Sequence, residues 1–253
     1  MKSSILRLTG LTTVMLTGPV SAIDGNANSQ SDVWEMVFGA AGLPPGGDAD
    51  HDGWTNAQES IAGTNPFDPG SRPQLQITSG ATPVLWWQSF AGKRYTVYSS
   101  QDLVTWAPAQ SAIQGNGQTV TWPIAPPGGR AFFRLQAEDQ DSDGDGLSDW
   151  EELTLGLDPT RPRTERYEQT DSQRVASQLA LSSTIDVAVY EDFCAEGWPA
   201  PAILVLRRSG GLAPLSVHVQ FSGSATPATD YTSSISGTTV PLAAGQREAF
   251  VEI

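Results

Sequence analysis

The chain of 253 residues has one cysteine, Cys194, so no disulfide can form within it. It has two histidines, His51 and His218, and these are the only imidazole bases that Cys194 or a hydroxyl nucleophile could use. There is no Gly-x-Ser-x-Gly elbow, no His-Glu-x-x-His, no phosphate loop and no Ser/His/Asp set with a plausible base. No apolar run reaches the ~20 residues of a membrane span. Bases are scarce as well: 14 Lys plus Arg face 28 Asp plus Glu, for a net charge of −14. Nucleic acid would need a basic footprint, so it is excluded as a partner. The expectation is a protein that is not an enzyme within these residues.

What the chain does have is enough apolar material for cores: 39% hydrophobic residues, with 8 Trp, 8 Phe and 5 Tyr. The length suits two or three small domains. The charge is unevenly placed. Asp24 to Gly70 holds eight acids and no Lys or Arg, and Glu138 to Asp158 holds nine acids and again no base. Outside these stretches 11 acids face 14 bases. The acidity is therefore two islands on a nearly neutral chain.

Each island contains a twelve-residue pattern of carboxylates. Asp48, Asp50, Asp52, Gly53, Trp54, Asn56 and Glu59 stand at positions 1, 3, 5, 6, 7, 9 and 12 of one, and Asp141, Asp143, Asp145, Gly146, Leu147, Asp149 and Glu152 at the same positions of the other. This spacing suits Ca2+, a hard ion that takes six to eight oxygens. Acids at 1, 3 and 5 converge as the chain curls, Gly at 6 permits the turn, and position 7 offers its carbonyl. Position 9 often acts through water, and Glu at 12 can bind with both oxygens. Without a cation these acids would repel one another. A weaker copy lies 24 residues earlier, with Asp24, Asn26, Asn28 and Glu35 at positions 1, 3, 5 and 12 and Ser29 in place of Gly. Fewer charges there mean weaker binding.

The matches continue past the loops. Gly63, Asn65, Pro66 and Pro69 recur 93 residues later as Gly156, Asp158, Pro159 and Pro162, so each loop should run into a short helix stopped by Gly and then Pro. Pro44-Pro45-Gly46-Gly47 cannot be an incoming helix, which separates these segments from full EF-hands. The run Asp141-Ser-Asp-Gly-Asp-Gly-Leu-Ser-Asp-Trp-Glu-Glu-Leu, with Gly156-Leu-Asp-Pro159 after it, resembles thrombospondin type 3 repeats of exported bacterial proteins. The 24-residue period also resembles a dockerin, although dockerins usually carry Asp at the last ligand position. The distance in sequence between the two good loops also counts against a compact dockerin.

Residues 73–137 carry strand signals at Val84 to Trp87, Tyr95 to Ser99, Gln118 to Trp122 and Ala131 to Leu135, broken by Gly- and Pro-rich turns. They read as a small antiparallel β domain of four to six strands, with Trp86, Trp87, Trp106 and Trp122 mainly packed. Residues 163–178 are polar and read as a linker. From Leu179 on, Asp186 to Glu191, Ala202 to Arg207, Leu215 to Phe221 and Glu248 to Ile253 read as strands. Arg207-Arg-Ser-Gly-Gly211, Gly223-Ser-Ala-Thr-Pro-Ala-Thr-Asp230-Tyr231 and Val240-Pro-Leu-Ala-Ala-Gly245 together resemble a Calx-β domain, a calcium-binding immunoglobulin-like sandwich. The resemblance maps calcium ligands onto Glu191 and Asp230. Ala228 departs from the usual Gly, and the acidic segment after the last strand is missing. A seven-stranded sandwich needs ~100 residues, so the sequence is expected to be the front part of a longer protein.

The first 22 residues have a positive start (Lys2, Arg7), an apolar stretch from Leu8 to Val20 and small residues at Val20-Ser21-Ala22. This is the pattern of a secretory signal with a cut after Ala22. The expected fold is mainly β and multidomain. Its parts are a signal peptide (1–22), a calcium-loop segment (23–70), a small antiparallel β domain (71–138), a second calcium-loop segment (139–162), a linker (163–178) and an immunoglobulin-like β-sandwich of Calx-β type (179–253). The expected function is that of an exported calcium-binding protein, extracellular, at the cell surface or periplasmic. It would have a structural or adhesive role toward a surface protein or polysaccharide. The alternatives are accessory modules of a larger exported enzyme, or a dockerin-like docking element.

Overall fold

A computed structural model describes residues 22–253 apart from 73, 79–81, 125–130, 166–167, 192–200, 223–227, 229–230 and 236. The expected signal segment up to Ser21, Cys194, Asp230 and the side chain of Glu191 lie outside the described residues. The fold is mainly β, with several small antiparallel sheets and four short helices among the described residues. The chain divides into two compact units, one running to Leu153 with Leu157–Ser172, the other comprising Thr154–Gly156 and Gln173–Ile253.

The first unit contains two three-stranded antiparallel sheets. In one, β1 (Gln76–Thr78), β2 (Val84–Gln88) and β5 (Thr119–Pro123) lie in the order β1-β2-β5. In the other, β3 (Lys93–Ser100) is flanked by β4 (Ala107–Gln114) and β6 (Phe132–Asp139). Alternation turns one side of each strand inward. Leu85 and Trp87 of β2, Tyr95 and Val97 of β3, and Phe133, Leu135 and Ala137 of β6 form one buried cluster. Trp87 is fully buried, while Trp86, Trp106 and Trp122 are half-buried.

Three helices of seven residues accompany these sheets: α1 (Asp32–Phe38), α2 (Asn56–Ala62) and α3 (Asp149–Leu155), the last of which has Thr154 and Leu155 in the second unit. Helices this short are unstable alone, and each is held by caps and packing. Ser31 and Thr55 cap α1 and α2, the latter in a capping box with Gln58. Ser148 and Glu151 exchange the same pair of bonds at α3. Gly39 and Gly63 end α1 and α2 with φ of +66° and +75°, where a side chain would be strained. A side chain at Gly63 would also meet the Trp150 indole of α3. Lys93 of β3 is buried beside that indole, 4.8 Å from the ring centre, and pairs with Asp139.

The sequence separates the two good loops widely, but the structure brings their helices into one unit. Ser31 is the meeting point. Its N–H donates to Ser60 of α2 at 2.8 Å and its hydroxyl donates to Glu151 of α3 at 2.6 Å. Trp34 of α1 is fully buried and donates its indole N–H to the carbonyl of Thr64, just after α2. The separation in sequence therefore does not argue against a compact arrangement. The stretch expected to be a linker also differs, because α4 occupies Asp171–Gln178.

In the second unit, β7 (Ser183–Glu191), β8 (Ile203–Gly210) and β11 (Glu248–Glu252) form one antiparallel sheet in the order β11-β8-β7, and β9 (Leu215–His218) pairs with β10 (Thr239–Leu242) in another. Leu206, Val240, Leu242, Ala249 and Val251 form the core between them. His218 is exposed, as its alternation with Ser216 and Gln220 implies. Gly211 is required by close approach, since a Cβ there would meet the Leu181 carbonyl at 2.1 Å. Arg208 is buried, and its guanidinium donates to Ser183 Oγ and to the carbonyls of Ala213 and Ala243.

Candidate metal centre

The three loops ahead of α1, α2 and α3 share one backbone scaffold. In each, the first acid accepts the N–H of position 6: Asp24 from Ser29, Asp48 from Gly53 and Asp141 from Gly146, at 2.9–3.0 Å. The position 3 side chain accepts from position 5 in Asn26, Asp50 and Asp143. The position 5 side chain accepts from position 7 in Asn28, Asp52 and Asp145. These turns leave φ positive at position 6: Ser29 +69°, Gly53 +95° and Gly146 +95°. Position 4 is left-handed as well, in Ala27, His51 and Gly144. Glycine suits both places, and the first loop has it at neither.

The structure gathers the acids as the spacing predicts. Asp48, Asp50 and Asp52 bring one carboxylate oxygen each within 4.8 Å of one another, and so do Asp141, Asp143 and Asp145. Both groups can hold a metal ion. Glu59 and Glu152 face these clusters from the first turn of α2 and α3, fully buried. Burial, followed by the charges of Asp50, Asp52 and Asp48, pushes the Glu59 carboxyl up to about 8. Burial and then Asp143, Asp145, Asp149 and Asp171 push Glu152 up to about 9. Burial also raises Asp52 and Asp143 above the usual carboxylate range.

The hydrogen-bond inventory tests the fit to a cation. Buried oxygens of Asp50, Asp52 and Glu59 have no partner, nor have those of Asp143 and both of Glu152. Buried acceptors are almost always satisfied, and these are all acceptors, clustered in two places; a base near them, Arg72, donates to the backbone carbonyl of Asp52 at 3.1 Å. A hard divalent cation fits that set.

The weaker copy differs at the decisive point. Asn26 and Asn28 donate their side-chain N–H groups to the two oxygens of Glu35, at 3.1 and 2.8 Å. The two amide oxygens are taken by the N–H of Asn28 and of Gln30, which fixes the amides in this orientation. Among the described residues the first loop thus leaves no buried carboxylate oxygen without a partner.

Position 9 has a role the spacing does not reveal. Asp32, Asn56 and Asp149 each accept the N–H of position 2, from Gly25, Ala49 and Ser142. They brace the start of the loop against the first residue of the helix. At position 7 the side chains point inward: Leu147 is fully buried and Trp54 nearly so. Gln30 occupies this place in the first loop, fully buried, with neither amide atom bonded. A buried unsatisfied amide costs about 1–3 kcal/mol. Gln30→Leu, copying Leu147, is therefore expected to raise the melting temperature by a few degrees in a thermal scan. An unchanged or lower value would contradict the equivalence of the loops.

Bacterial TSP3 repeat sequences match the chain over residues 48–69 and 141–162, which are the two loops with orphaned carboxylates and the turns that follow them. No curated protein and no solved structure matches the chain. The repeats are of a calcium-binding, acidic type.

Proposed function

We propose that the chain is an exported, calcium-binding modular protein with a structural or adhesive role. Asp48, Asp50, Asp52, Glu59 and the carbonyl of Trp54 would hold one ion. Asp141, Asp143, Asp145, Glu152 and the carbonyl of Leu147 would hold the other. The observation that carries this reading is the set of buried carboxylate oxygens without partners in the same two loops. Calcium would neutralise them and fix α2 and α3 to the loops that precede them. Metal binding would then contribute directly to folding.

The domain plan belongs to the same reading. The two loop segments flank the small β domain, and the C-terminal sheets form a Calx-β-like sandwich. Two antiparallel sheets packed on a shared core support that assignment. Glu191 and Asp230, the ligand positions that the resemblance maps, would be too few to hold a third ion well. Adhesion to a surface protein or polysaccharide is the proposed use of such calcium-stiffened modules.

The test is a calorimetric titration of the metal-free chain with Ca2+. Two ions should bind, with dissociation constants of order 10⁻⁴–10⁻³ M if the loops behave as extracellular modules do. Absence of binding heat over that range would refute the reading.

A further inference from the structure

We propose that the chain is cut between Ala22 and Ile23, and that the α-amino group so released is the cation that pairs with Glu151. Glu151 is fully buried. One of its oxygens accepts the N–H and hydroxyl of Ser148 at 2.8 and 2.9 Å. The other accepts the Ser31 hydroxyl at 2.6 Å and the backbone N–H of Ile23 at 3.2 Å. None of these donors carries a charge. Among the described residues Glu151 has no ion-pair partner, and the nearby ammonium of Lys93 is taken by Asp139. A buried carboxylate normally has a countercharge.

Two independent observations meet on one atom. The small residues Val20-Ser21-Ala22 after an apolar stretch end where an export peptidase would cut. The nitrogen that this cut would free is the one already placed on Glu151. Water adds across the Ala22–Ile23 amide as the C–N bond breaks. The water oxygen goes to the Ala22 carbonyl carbon, giving a carboxylate. Both water hydrogens end on the Ile23 nitrogen, giving an ammonium. A bond from an uncharged amide N–H thereby becomes an ion pair between ammonium and carboxylate in a buried site.

The position of Ile23 is held from the other side too, since its carbonyl accepts the N–H of Asp32 at 2.7 Å. The new terminus would then fasten the first loop to α3. Ser31 links the same carboxylate to Ser60 of α2, so one charge would secure all three helices. Retention of even one extra residue would replace the ammonium by an amide N–H.

This inference rests on the export part of the proposed function and is independent of calcium. The test begins with the intact mass of the full chain produced in an exporting host, where the mature protein should start at Ile23. The melting temperature of that protein, in excess Ca2+, is then compared with that of a chain retaining Ala22 and of one acetylated at the Ile23 amine. Both blocked forms should melt several degrees lower, and Glu151→Gln should abolish the difference. The free amine should also react slowly with an acylating reagent near neutral pH. A mature terminus at another residue, or equal melting of the free and blocked chains, would overturn the proposal. A chain that starts at Ile23 and shows this dependence yet binds no Ca2+ would refute the calcium reading alone.

Discussion

Excess chelator is expected to lower the melting temperature of the first unit by about 10–20 °C. Two sites filled at a hundredfold excess over their dissociation constants contribute about 5 kcal/mol, and about 2–4 °C accompanies each kcal/mol at this size. The chelated protein should also respond to pH with a definite sign. Glu59 and Glu152 lie at about 8 and 9 in the metal-free fold, above their ordinary value of 4.5. Folded protein therefore holds protons that the unfolded chain has released. Their contribution to stability is complete below pH 4.5 and is lost as pH rises through about 8 and 9. Melting in chelator should fall between about pH 6 and pH 9, and the gap to the calcium-loaded protein should widen. Scanning calorimetry with and without chelator at the two pH values checks both parts. A chelator-independent melting curve would contradict the ion-loop account.

The second large effect follows from comparing the first two loops. Asp50→Asn with Asp52→Asn converts the second loop to the side-chain pattern of the first, with Asp at position 1, Asn at 3 and 5, and Glu at 12. The new amides should donate to Glu59 as Asn26 and Asn28 donate to Glu35. Calcium affinity at that loop should drop by about two orders of magnitude or more, because affinity follows ligand charge. In chelator the same variant should melt above the parent, since the repulsion is gone and an unpartnered oxygen is satisfied. Opposite signs in the two conditions distinguish this from a simple folding defect. Titration should count one ion in place of two. Glu35→Gln should leave the count unchanged, because the first loop is closed by amides. A variant that loses stability equally with and without calcium would refute the comparison.

The ion loops were legible because chemistry fixes their spacing: Asp48 to Glu59 and Asp141 to Glu152 can be read from ligand positions alone. The helices after them were legible from Gly63 and Gly156. Strands with a buried side, such as β2, β3 and β6, declared themselves by β-branched and aromatic residues between Gly- and Pro-rich turns. β4 did not, because Ala107–Gln114 is mostly exposed and rich in alanine, with a proline and a bulge. β10 is short and contains Pro241. The polar helix α4 looked like a linker because no apolar stripe marks it. The braces at Asp32, Asn56 and Asp149 were hidden because a carboxylate or amide at position 9 serves equally as ligand or as acceptor. The meeting of loops through Ser31 was not legible at all. It rests on single hydrogen bonds that span 29 and 120 residues, and no local pattern records such contacts.

That long reach through Ser31 also bears on the order in which the chain can fold. Helix α1 comes first in the described chain, yet its partner Glu151 lies 120 residues later. A seven-residue helix does not persist alone, and closing so long a loop has an entropic cost that must precede any gain. The small β domain between them can form from nearer contacts and shorten the remaining gap, since β3 and β6 already carry Lys93 and Asp139 beside Trp150. Helix α1 would thus be among the last elements of the unit to settle. Its final docking would mark the completion of the whole unit.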